Sequence, residues 1–143
     1  MRGTTVYTVS DKASDAEAEK LARSENGVDN IAGLNLSKQK HDVANALMNL
    51  AQRESQSGAL NFAQKTIAAI KPVTELPSKP LRSAAFVVLK APDVPSVLLE
   101  LGYLSNHADE SLLTSVQWRK EMADALTKAV DGYFNVETAS AAP

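Results

Sequence analysis

Three of the six prolines fall within the ten residues Lys71-Pro-Val-Thr-Glu-Leu-Pro-Ser-Lys-Pro80. Proline fixes φ and has no backbone N–H, so such a stretch joins no helix interior and no central strand. It predicts an extended connector, and the chain on either side must be read separately. Before it, Thr4-Thr-Val-Tyr-Thr-Val-Ser10 is β-branched and aromatic, which suits a strand. Ser14-Asp-Ala-Glu17 has the form of a capping box and predicts a helix over about 15–32 that stops at Gly33. A second helix is expected after Ser37, carrying Val43, Leu47 and Leu50. A third repeats the spacing with Leu60, Ala63, Ile67 and Ile70, and the break falls at 55–58.

Beyond the connector come two short apolar runs, Ala85-Phe-Val-Val-Leu89 and Ser96-Val-Leu-Leu-Glu-Leu101, expected as strands of a sheet covered on both faces. Trp118, Met122, Ala125, Ala129 and Tyr133 then recur every three or four residues, the stripe of a helix that docks on a core. Residues 135–143 end small and polar and are expected to be a flexible tail. Strands preceded and followed by helices define an α/β domain. At 143 residues one domain is the expectation.

Composition narrows the chemistry. No cysteine is present, so disulfides, thiolate metal sites and thiol nucleophiles are excluded. A net charge of -2 with 5% aromatic residues gives no sign of a nucleic-acid partner. No apolar run approaches the roughly 20 residues of a membrane span. Met1-Arg-Gly-Thr-Thr5 is not followed by a signal-peptide core, so an export signal would lie outside this chain.

Two carboxylates break apolar patterns. In Ser96–Leu101 the period of two places Ser96, Leu98 and Glu100 on one sheet face, with Glu100 at the strand's end. Ligands of open α/β sheets gather beyond the carboxyl ends of strands, where an acid can serve as general base toward a water. The plainer alternative is a strand-end Glu that pairs with a Lys or Arg, or that accepts backbone N–H bonds from Gly102 to Asn106. In the first helix, Glu25 falls in the arc of Leu21, Val28 and Ala32, which predicts an inward-facing acid; the alternative is a stripe-edge charge that reaches water. Glu19 and Arg23 are spaced as an i,i+4 pair. His41 and His107 have no His-x-x-x-His or His-Glu-x-x-His partner, so spacing supports no self-contained zinc site.

The block Phe86-Val-Val-Leu-Lys-Ala-Pro-Asp-Val-Pro-Ser-Val-Leu-Leu-Glu-Leu-Gly-Tyr-Leu-Ser-Asn106, followed by Glu110-Ser-Leu-Leu113 and Gly132-Tyr-Phe134, resembles the C-terminal half of the zinc-dependent N-acetylmuramoyl-L-alanine amidases of the cell-division type. Gly3–Ser10 and Ser24–Gly33 extend the resemblance upstream, to the strand after the family's last zinc histidine and to its inserted helical segment. The resemblance implies a twisted sheet with helices on both faces (phosphorylase/hydrolase-like), here an incomplete domain without its N-terminal strands. It implies a regulatory helical insertion at 12–70 and cleavage of the amide between N-acetylmuramic acid and L-alanine of peptidoglycan in the periplasm. By motif, Glu100 matches the catalytic glutamate and Glu25 the acid of an autoinhibitory helix that caps the zinc. The family's primary zinc ligands match no residue of this chain, and neither His41 nor His107 takes their place. Residues 42–54, with Val43, Leu47 and Leu50, are the expected coupling point for an activator protein of the division machinery, although all three suit a core equally. A partial domain would expose a sheet edge and favour self-association. The competing reading is a non-enzymatic interaction module, or an inactive fragment, that binds an activator or division partner. Metal content and the upstream reading frame discriminate the two.

Overall fold

The computed structural model describes residues 2–31 and 42–140. It is a mixed α/β fold, with a three-stranded sheet and four α-helices among the described residues. The strands are β1 (Thr5–Val9), β2 (Leu81–Ala84) and β3 (Leu98–Glu100), in the order β2-β1-β3. The helices are α1 (Ala16–Ile31), α2 (Asp42–Ile70), α3 (His107–Thr114) and α4 (Val116–Ser140). Two compact units interleave along the chain. One comprises Met1–Val6, Asn61–Leu81 and Leu99–Pro143; the other comprises Tyr7–Leu60 and Arg82–Leu98.

β1 is the central strand, and Thr5 to Thr8 are buried throughout, as its β-branched sequence predicts. It runs parallel to β2: the Val6 N–H donates to the Pro80 carbonyl and, four residues on in both strands, the Ser10 N–H donates to that of Ala84. β3 runs the other way. Its C-terminal neighbour Leu101 presents a carbonyl to the Thr4 hydroxyl at the start of β1, at 2.9 Å. Leu98, at its beginning, packs on the same cluster as Val9, at the end of β1. Among the described strands, the carboxyl end of β3, with Glu100, thus lies beside the amino end of β1.

In the second unit, α1 begins on Asp15 and not on Ser14. The Asp15 carboxylate accepts from the Ala18 N–H at 3.0 Å, while the Ser14 hydroxyl donates to Asp15 and accepts from the Ser83 N–H. Glu17 is drawn away from a capping box by Arg82, whose guanidinium lies 2.7 Å from it and 3.3 Å from Asp15. The Ala18 N–H holds the Asp15 carboxyl below its ordinary value of 3.8; burial opposes this, and Ser14 and Arg82 reinforce it. A carboxyl depressed in the folded state contributes stability above its unfolded value, and that contribution is lost as pH falls through the lower folded value. The urea midpoint is expected to decline over that acid window, and Asp15→Asn should flatten this part of the curve. An unchanged acid slope in Asp15→Asn would count against the cap.

The inward face of α1 carries Ala18, Ala22 and Asn26, one helical step apart. The two alanines lie in a cluster with Tyr7, Ala84, Phe86 and Leu89, where the Tyr7 and Phe86 rings meet edge to face at 5.4 Å. Asn26 donates to the Ala85 carbonyl and accepts from the Val87 N–H, each at 2.8 Å. That pairing replaces a strand ladder. Ala85–Leu89 is accordingly not a strand: the strand ends at Ala84, and Val87–Leu89 forms a short 3-10 turn.

The expected break at 55–58 is absent, and α2 continues through Gly58. An interior glycine costs about 1 kcal/mol relative to alanine, too little to end a helix that buries Ala59, Ala63, Thr66 and Ile70. Leu60, placed on the apolar stripe by its spacing, is exposed. In the first unit the α4 stripe is as expected, with Trp118, Met122, Ala125, Ala129 and Tyr133 all buried. Trp118 Nε1 donates to the Val73 carbonyl at 3.1 Å, and Tyr133 meets Phe62 edge to face. α4 runs to Ser140, through most of the expected tail.

Candidate active site around Glu100

Glu100 closes β3 and is half-buried. Three residues on, Tyr103 turns back and its hydroxyl donates to Glu100 Oε2 at 2.8 Å. Of the backbone N–H groups at 102–106, that of Tyr103 goes to a different carboxylate. Asp109, 2% exposed, receives the Tyr103 N–H at 3.0 Å and the Gly3 N–H at 2.9 Å, both on Oδ2. Arg2 Nε lies 3.7 Å from its other oxygen and ties it in turn to Glu75.

Local sequence explains why Asp109 sits there. Asn106 caps α3, accepting from the Ala108 and Asp109 N–H groups, so Asp109 falls in the first turn, where a negative charge suits the helix N-terminus. Gly102 makes room for it, since a Cβ on Gly102 would lie 3.2 Å from the Asp109 Cβ. One buried carboxylate thus fixes the lead-in to β1, the loop after β3 and the start of α3. Sequence reasoning missed Asp109. The available signal was an acid three residues after an Asn at a helix start, preceded by Gly-Tyr.

Glu25 lies in the second unit and is exposed, because the buried arc of α1 runs through Ala18, Ala22 and Asn26; the inward placement is corrected. Glu19 and Arg23 form the expected ion pair. His107 is exposed at the first position of α3, 3.4 Å from Glu110, and His41 lies outside the described residues. Leu47 and Leu50 are 65% and 64% exposed and take no part in the core of the described residues. Val43 lies in the first turn of α2, and its side chain is outside the described residues. Among the described residues no three His, Asp or Glu side chains group so as to hold a metal ion. An open cleft in the second unit, lined by Lys12, Glu19, Arg23 and Asn26 among others, does not include Glu100.

The α/β fold is shared with solved amidases. The structure is similar to the N-acetylmuramyl-L-alanine amidase Ami1 from Mycobacterium smegmatis, with a TM-score of 0.57 at 18% identity, covering 94% of this chain and 48% of that one. The chain belongs to the N-acetylmuramoyl-L-alanine amidase family, whose model matches residues 1–132. It is 36% identical over 134 residues to the N-acetylmuramoyl-L-alanine amidase AmiA of Escherichia coli K12, covering 93% of this chain and 46% of AmiA. It is 31% identical over 135 residues to AmiC of Neisseria meningitidis serogroup B, covering 94% of this chain and 32% of AmiC. The chain thus spans about half the length, or less, of these curated relatives.

Proposed function

We propose that this chain supplies the general base of a peptidoglycan amidase, cleaving the amide between N-acetylmuramic acid and L-alanine in cell-wall turnover and daughter-cell separation. The observation that carries this reading is Glu100, half-buried at a strand end with one oxygen anchored by Tyr103, in a chain of the amidase family. Glu100 takes a proton from the water whose oxygen bonds to the amide carbon. The carbon–nitrogen bond then breaks, and the proton passes from Glu100 to the departing amine, restoring the carboxylate. The family resemblance implies zinc. The described residues offer no set to hold it, so its ligands are proposed to lie outside the described residues, and no step is assigned to it.

The activity belongs in the periplasm, on the cell wall, and the 12–70 segment is its regulatory part. Exposed Leu47 and Leu50 suit a docking surface for a division activator, and exposed Glu25 suits the acid that caps the zinc of the family in its autoinhibited state. The test uses the full-length gene product on purified peptidoglycan, with and without the activator. Stem peptides with a free L-alanine amine are expected, and Leu47→Ser/Leu50→Ser should lose the stimulation while retaining basal release. Cleavage only within glycan strands or between stem peptides would refute the amidase reading. Stimulation undiminished in the double variant would refute the docking surface.

A further inference from the structure

We infer that Tyr103 is a positioning residue for Glu100, set in place by the buried Asp109; this rests on the reading of Glu100 as the base. A glutamate has three side-chain torsions, and a half-buried one at a strand end samples several rotamers unless something holds it. One such holder is the Tyr103 hydroxyl, 2.8 Å from Oε2. A phenol is rigid beyond two torsions, so where its oxygen sits is decided by its backbone. That backbone is fixed by the Tyr103 N–H donating to Asp109 Oδ2, the atom that also takes the Gly3 N–H. Asp109 is 2% exposed and capped within α3, so it has little freedom of its own. The path runs from a buried carboxylate to one amide, through a ring, to the oxygen of the base. A catalytic group placed loosely by even 1 Å can lose about a hundredfold in rate, so the share of that placement owed to the Tyr103 hydroxyl is measurable.

The test is Tyr103→Phe in the full-length gene product, with Glu100→Gln beside it. Phenylalanine keeps the ring and the amide held by Asp109 and removes only the hydroxyl. We expect kcat to fall about tenfold with KM and the thermal midpoint unchanged, and crystal structures to show the Glu100 carboxylate displaced from its wild-type position. A residue that merely supports the loop would lower the folded fraction and leave kcat per folded enzyme intact, and that outcome overturns the inference. Unchanged kcat in Tyr103→Phe while Glu100→Gln is inactive overturns the inference and leaves the proposed function standing. Full activity in Glu100→Gln overturns both. If the wild type releases nothing from peptidoglycan, the crystal comparison decides, and a Glu100 carboxylate that keeps its place in Tyr103→Phe contradicts the positioning role.

Discussion

Replacing Asp109 with alanine is expected to lower the unfolding free energy by about 3 kcal/mol, a large share of a domain's usual stability. The substitution leaves the buried Gly3 N–H and the Tyr103 N–H without their acceptor, in a place where the protein closes over them. Each orphaned donor costs about 1–3 kcal/mol. The Arg2 contact adds little, because that side chain is half exposed at 3.7 Å. Asp109→Asn keeps one acceptor oxygen and should lose roughly half as much. Urea unfolding of both variants checks the order. Equal, small losses would mean that the loop after β3 does not depend on this carboxylate.

Glu100→Gln is expected to lower kcat by ~10²–10⁴ while leaving KM and the unfolding midpoint close to wild type. Glutamine has the same shape and offers an amide oxygen to the Tyr103 hydroxyl, so the anchor seen at 2.8 Å survives. What disappears is a group able to take a proton from water. A rise in KM at constant kcat would mean that Glu100 binds substrate and performs no chemistry.

The elements that pattern alone revealed were those with long, regular signals. The β-branched run of β1 and the five-residue stripe of α4 both fold as their spacing predicts. Local signals failed where a distant partner won. Ser14 lost the cap of α1 because Arg82, far along the chain, holds Asp15 and Glu17. Ala85–Leu89 has the composition of a strand, yet the Asn26 amide takes its Ala85 and Val87 backbone groups. The arc of Leu21, Val28 and Ala32 predicts an inward Glu25, whereas the small residues Ala18 and Ala22 set the buried face. Glu100 stands out in the sequence as an acid among leucines, and it does close a strand, although β3 runs antiparallel to its described neighbour β1. Its setting comes from Tyr103 and Asp109, a link between the loop after β3 and the first turn of α3 that no periodicity encodes.

The most direct test of Glu100 as the base is turnover and metal content measured on one sample of Glu100→Gln in the full-length gene product. Turnover is predicted to fall ~10²–10⁴-fold in a folded protein that holds the same metal as wild type, since glutamine keeps the shape of Glu100 and removes only its basicity. Retained turnover, or metal lost together with turnover, would contradict the account.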